Sequence, residues 1–217
     1  VTCISEDGRG AYLIGFDGAG MIKYDTSGTK IKVFQMGVTG GLVSNSIRCI
    51  SKDRFTGNFW VGTATGLTEY NPVNDVFTTY PNFRNLNDKI ITTILATQPD
   101  QLHIGTYGKG LYLYKRGEDT ASRMVLPKSK GSRFISFLEY NTNNKELWIG
   151  TFGGLIRLSA VKATLYTNNP LNPESLVDNK TQTATFDRFG SLWIGTINGL
   201  SRFDQRLKLF NLYREFK

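Results

Sequence analysis

The stretch Leu192-Trp193-Ile194-Gly195-Thr196-Ile197-Asn198-Gly199-Leu200-Ser201-Arg202-Phe203-Asp204 decides the reading of this chain. An apolar cluster ends in Gly195, a second Gly with an apolar follower comes at 199, and bulky Phe203 follows. Short aromatic and β-branched runs bounded by Gly, Asn and Asp are strand signals. The stretch therefore reads as two strands joined by a Gly-rich reversal.

The same frame recurs upstream. Tyr12-Leu13-Ile14-Gly15, Phe59-Trp60-Val61-Gly62, Leu102-His103-Ile104-Gly105 and Leu147-Trp148-Ile149-Gly150 match the first cluster. Gly20-Met21, Gly66-Leu67, Gly110-Leu111 and Gly154-Leu155 match the second Gly, and Tyr24, Tyr70, Tyr114 and Leu158 match Phe203. Five in-register copies about 45 residues apart are a repeat, not a coincidence. Each copy has an apolar segment before the Trp column, such as Ile47 to Ser51 or Phe134 to Leu138. An Asp-to-Gly turn follows, as in Asp7-Gly8-Arg9-Gly10 and Asp187-Arg188-Phe189-Gly190. After the second Gly, a turn at Asn71-Pro72 or Asp204 leads to a last strand such as Val76 to Tyr80. Helical periodicity is absent.

Four strands repeating at this period predict an all-β fold, a β-propeller of five four-stranded blades. The blades fall at about 1–45, 46–88, 89–132, 133–179 and 180–217, a single propeller segment. A blade cannot bury both faces alone, so Trp60, Trp148 and Trp193 are expected to pack between neighbours. Thr63, Thr106, Thr151 and Thr196 are expected to repeat one hydrogen bond. Five blades could close a ring, and a cut through a larger, seven-bladed propeller fits equally well.

Residues Leu192 to Asp204, Leu147 to Leu158 and Phe59 to Asn71 resemble the two-component regulator propeller repeat. The linker Ser175-Leu176-Val177-Asp178-Asn179 is similar to the stretch between that family's repeats, and the likeness runs over essentially the whole chain. Copies one and three depart from the pattern, with Leu13 and His103 in the Trp column. The resemblance implies the periplasmic or extracellular sensor region of a hybrid two-component histidine kinase, a non-catalytic part that detects an oligosaccharide and controls glycan-utilisation genes. It further implies remaining blades and downstream domains in the parent chain, with a possible homodimer and with the membrane reached only through those other parts.

Composition narrows the other classes. The 217 residues hold 26 Lys and Arg against 18 Asp and Glu, a net charge of +8, with 40% hydrophobic residues. That is enough for a core and rules out bulk disorder. No apolar run reaches membrane-span length. No signal peptide is visible from Val1, and a mature secreted protein or a piece of a longer one would read the same. Blades one, two and four each balance four basic against four acidic residues, whereas 89–132 and 180–217 each hold seven against three. Lys115, Arg116, Arg123, Lys128 and Lys130 crowd blade three, either as a solvated sheet edge or as attraction to an anionic partner. No nucleic-acid motif accompanies them.

Two cysteines, Cys3 and Cys49, fall in one inner-strand column and read as unpaired core thiols. Asp7, Asp53 and Asp187 read as turn caps. No cofactor or metal is expected. An enzyme on a propeller, a lyase or hydrolase with a His at the channel mouth, is the competing class. The only His stands in the Trp column, and paired carboxylates are missing. A scaffold for protein–protein contact is the third reading.

Propellers bind ligands where loops converge at one mouth. The loops between second and third strands carry Phe16, Asp17, Ala64, Thr65, Tyr107, Lys109, Phe152, Ile197 and Asn198. The linkers add Asn45, Asp88, Lys89, Arg133 and Asn179. Phe16, Asp17, Tyr107, Lys109, Phe152, Asn198, Lys89 and Arg133 are the candidate ligand-binding set. Rings cover apolar sugar faces while polar groups bond the hydroxyls. Phe16, Tyr107 and Phe152 fill one column in alternate or neighbouring blades, which is the main reason for naming them.

Overall fold

A computed structural model describes residues 1–37, 41–80, 86, 89–118 and 120–213. Among the described residues every regular element is a strand, and the strands form five four-stranded antiparallel sheets, the blades of a β-propeller. The first sheet is β1 (Cys3–Glu6), β2 (Ala11–Gly15), β3 (Met21–Asp25) and β4 (Lys30–Phe34). The second is β5 (Ile47–Lys52), β6 (Phe59–Thr63), β7 (Leu67–Asn71) and β8 (Val76–Thr79). The third is β9 (Ile91–Gln98), β10 (Gln101–Thr106), β11 (Gly110–Lys115) and β12 (Ser122–Arg123). The fourth is β13 (Ile135–Asn141), β14 (Glu146–Thr151), β15 (Gly154–Leu158) and β16 (Ala163–Tyr166). The fifth is β17 (Thr181–Phe186), β18 (Leu192–Thr196), β19 (Gly199–Asp204) and β20 (Leu209–Tyr213). In each sheet the strands pair in chain order. The chain divides into two compact units, 1–106 with 112–123, and 107–111 with 124–217.

The first unit shows why the strands lack a simple buried–exposed alternation. In β6 every residue is buried. Phe59 and Val61 pack with Leu13, Met21 and Phe34 of the first sheet, while Trp60, pointing the other way, packs with Ile94, Ile104 and Tyr114 of the third. Opposite faces of one strand thus serve two cores. Burying each such side chain is worth about 1.5–3 kcal/mol, which an isolated sheet cannot gain on both faces. In the second unit Trp148 and Leu155 pack likewise against Leu192, Ile194 and Phe203. The expected packing of Trp60 and Trp148 between blades is observed.

The first Gly of repeats one, two and four marks a close approach. A Cβ at Gly62 would stand 2.6 Å from Cys49 Sγ and 2.7 Å from Ile91 Cγ2. Cys3 and Cys49 pair in register with Gly15 and Gly62 and are free thiols, as expected. The second Gly donates its backbone N–H across to the next linker: Gly20 to Asn45 O, Gly110 to Arg133 O and Gly154 to Asn179 O, at 2.8–2.9 Å. The repeated threonines close the reversal between them. Thr63 Oγ1 donates to Gly66 O at 3.0 Å, Thr151 to Gly154 O at 2.7 Å and Thr196 to Gly199 O at 2.8 Å.

The Asp turns do two jobs. Asp187 Oδ1 accepts from the Phe189 and Ser191 backbones, both at 2.9 Å, which is the turn cap that the spacing predicts. Its Oδ2 accepts the Trp193 indole N–H at 2.9 Å, and Asp53 Oδ2 does the same for Trp60. In the third sheet both partners change together: His103 is buried, and Thr97 Oγ1 lies 3.2 Å from its Nδ1. Burial lowers the His103 pKa to about 4, so the ring is neutral. The lone histidine is a core residue.

One basic residue of blade three reads differently in three dimensions. Arg116 is not a solvated edge cation. Its guanidinium donates to buried Asp53 Oδ2 and lies over the Trp60 ring, 5.5 Å from the centroid. Arg157 and Arg202 cover Trp148 and Trp193 in the same manner from their cross-strand positions.

Candidate functional site

The second unit contains a cleft of about 610 Å³. Its apolar wall starts from a backbone bond. Phe152, in the reversal between β14 and β15, donates its N–H to the carbonyl of Phe134, the last residue before β13, at 3.2 Å. The same bond joins Ile197 to Lys180 one blade on, so Lys180 holds the place of Phe134 there. The Phe134 and Phe152 rings stack 5.7 Å apart at 7°. Tyr107 stands edge-on to both, at 4.8 Å and 79° to Phe134 and 6.3 Å and 85° to Phe152. A flat aromatic surface is thus braced from one side.

The polar side comes from the linker 168–180 and the loop at Asn198. Asn198 Nδ2 donates to Asp178 Oδ2 at 2.7 Å, and Lys180 N donates to Asp178 Oδ1 at 2.6 Å. Asn179 Oδ1 accepts Asn168 N at 2.7 Å, and the Asn168 amide donates to Leu176 O at 2.7 Å and Val177 O at 3.1 Å. Lys130 and Gly131 complete the lining. Their turn is pinned to the aromatic loop, since Ser129 Oγ donates to Gly153 O at 2.7 Å. A Cβ at Gly153 would collide with the Lys130 carbonyl.

Of the eight candidate residues, Phe152 and Asn198 line this cleft. Tyr107 buttresses its wall. Lys109 and Arg133 are exposed and sit at the neighbouring turn, where Gly108 and Gly110 both donate to Arg133 O. Phe16, Asp17 and Lys89 belong to the first unit. Asp17 is paired with Arg48 at 3.2 Å, and Lys89 Nζ lies 6.0 Å from the Tyr112 ring centroid. The proposed aromatic column needs one correction. Phe16 N donates to Gly20 O, as Thr63 N does to Gly66 O, so Phe16 occupies the threonine position of its repeat. Asp17 is the equivalent of Tyr107 and Phe152.

Among the other loop and linker residues, Ile197 and Asn179 line the cleft, whereas Asn45 Oδ1 is held by Met36 N at 2.6 Å. Asp88 lies outside the described residues. Phe134, Asn168, Asp178, Lys130 and Lys180 are cleft residues that the candidate set lacked. Phe134 was within reach of the sequence, as an aromatic beside Arg133 at the blade junction. Among the described residues no three His, Cys, Asp or Glu side chains gather into a metal-binding cluster.

No family model matches the chain. Over 146 residues it is 30% identical to histidine kinase P4 of Formosa agariphila, covering 63% of this chain and 10% of that protein. Two extracellular domains from B. thetaiotaomicron superpose on nearly all of it. The one assigned to the hybrid two component system BT3049 gives a TM-score of 0.81 at 22% identity, covering 99% of this chain and 28% of that one. The one assigned to BT4673 gives 0.77 at 18%, covering 98% and 30%. The fold is the one these extracellular domains share. The chain thus spans a tenth of its curated relative and under a third of the two solved domains. Both neighbours are extracellular domains of their own parent proteins.

Proposed function

We propose that this chain is a propeller segment of the periplasmic or extracellular sensor region of a two-component signalling protein, and that the Phe134–Phe152 cleft binds an oligosaccharide. The observation that carries the reading is the stacked, partly exposed ring pair facing a rim of Asn168, Asp178 and Asn198. Pyranose rings present apolar C–H faces and a belt of hydroxyls, which such a surface matches. The likeness to extracellular two-component domains supports the sensor role. In this reading the chain is non-catalytic, any kinase lies elsewhere in the parent protein, and binding controls glycan-utilisation genes.

The test is a thermal-shift and calorimetric screen of the chain against an oligosaccharide panel, since a ligand of the native state raises Tm. Binding that Phe152→Ala abolishes and Phe16→Ala leaves intact supports the site. Binding unchanged in Phe152→Ala moves the site elsewhere, and no binding to any sugar removes the reading.

A second reading, docking of further blades or of a protein partner, has its own observation. Ile4, Ile14, Ile22 and Val33 lie in one cross-strand row on the first sheet, and Ile4 and Val33 are 61% and 43% exposed. The equivalent face of the second sheet, with Phe59 and Val61, is buried.

A further inference from the structure

We propose that the saccharide held in this cleft is anionic, its carboxylate or sulfate bound by Lys130 and Lys180; the inference rests on the sugar reading of the same cleft and adds the charge of the ligand. Three charged side chains line the cleft: Lys130, Lys180 and Asp178. The carboxylate is already engaged, because one oxygen accepts from Asn198 and the other from the Lys180 backbone. The two ammonium groups are exposed and have no ion-pair or hydrogen-bond partner among the described residues. By contrast, two half-buried cations of the same unit are partnered: Arg157 by Glu146 at 2.9 Å and Arg202 by Ser191 Oγ at 2.9 Å.

Both lysines stand on fixed backbone. Lys130 sits in a turn closed by Ser132 N to Ser129 O at 3.1 Å and by Ser132 Oγ to Ser129 O at 2.9 Å. Lys180 is tied at both ends, its N–H to Asp178 and its carbonyl to Ile197. The two lysines have no salt-bridge partner among the described residues and outnumber the one carboxylate of the cleft; beside an apolar wall, on a frame that costs little to organise, this positive excess favours a ligand that brings its own negative charge. A neutral sugar would leave that field unused. A uronate carboxylate and a sulfate ester offer the same acceptor chemistry to an ammonium group.

The experiment measures binding of the intact chain to three probes: oligogalacturonides, which carry carboxylates alone, sulfated galactan oligosaccharides free of uronate, and neutral oligosaccharides of matched length. Each is titrated in low and high salt, with wild type and with Lys130→Gln/Lys180→Gln. The expected result is binding of an acidic probe that weakens about tenfold in the double variant and weakens with salt, as an exposed charge contact must. Whichever acidic probe binds more tightly identifies the carboxylate or the sulfate source. Both lysines are exposed, so the double variant should melt with the wild type, and Phe152→Ala should lose the acidic ligand as well. Neutral sugars binding as tightly as acidic ones, or acidic binding that ignores salt and the double variant, would overturn the inference and leave the sugar reading standing. No binding to any of the three would bring down both.

Discussion

The indole N–H of Trp60 donates to Oδ2 of Asp53 at 2.9 Å, joining the second strand of a blade to the turn that precedes it. Trp193 and Asp187 repeat the bond at the same distance. Trp148 does not. Its Nε1 is buried without an acceptor among the described residues, and Asn141 stands where blades one, two and five place Asp. Asn141 uses its oxygen to cap the turn, accepting Asn143 N at 3.0 Å, and so has no second acceptor to offer.

Asn141→Asp should therefore stabilise the chain. The new oxygen gives Trp148 an acceptor, a gain of about 1 kcal/mol, or a rise of about 2–4 °C in Tm for a chain of this size. Asp53→Asn should do the reverse and more, costing about 3 kcal/mol because it also strips Arg116 of its buried partner. Denaturant unfolding of the two variants checks both signs.

His103 sets a limit on the acid side. Its pKa is lowered to about 4 by burial, against about 6.5 when unfolded, so the unfolded chain takes up a proton that the folded chain refuses. Stability should fall as pH drops from about 6.5 toward 4. His103→Gln should flatten that slope, read from urea midpoints across the same range. An unchanged slope would place the acid sensitivity elsewhere.

Glu139 acts in the opposite direction. Burial raises its pKa to about 7. The folded chain then holds a proton between about pH 4.5 and 7 that the unfolded chain has released, so this group removes stability as pH rises through that window. Glu139→Gln should match the wild type near pH 5 and exceed it near pH 8, measured as Tm.

Gly62→Ala should cost about 1–3 kcal/mol, because the added methyl has to displace Cys49 or Ile91 at the join of two blades. The same crowding shields the thiols. Burial raises the pKa of Cys3 and drives that of Cys49 far above its usual range, so alkylation of the native chain near pH 8 should be slow, and slower at Cys49.

Tyr107→Ala should weaken a cleft ligand less than Phe152→Ala or Phe134→Ala. Tyr107 braces the two rings edge-on and does not line the cleft itself. Equal losses in the three variants would mean that Tyr107 touches the ligand directly.

The repeat was legible because its signals are local and backbone-driven: Gly where strands crowd Cys49 and Ile91, Asp where a turn needs a cap. The Trp and Asp columns could each be seen, yet the bond between them required the register of two strands. Arg116 could not be told from the other cations of blade three, because its partner Asp53 lies 63 residues earlier in the chain. The cleft was half legible. Phe152 and Asn198 sit in repeat-numbered loops, whereas Phe134, Lys130 and Lys180 sit in or beside linkers, where the copies differ and spacing says nothing. Phe16 shares its chemistry with Tyr107 and Phe152, but its count from Gly15 is that of the repeated threonines.

The split allegiance of β6, with Phe59 and Val61 turned to one core and Trp60 to another, bears on how such a chain can grow. Duplicating one whole repeat copies both faces together, so the two outer seams keep their original partners and only the seam between the copies is new. A change confined to one strand such as β6 instead reaches both neighbouring cores at once. The 45-residue period is therefore the natural unit of change for the cores, while the linkers, which carry little of that packing, are free to diverge into binding surfaces.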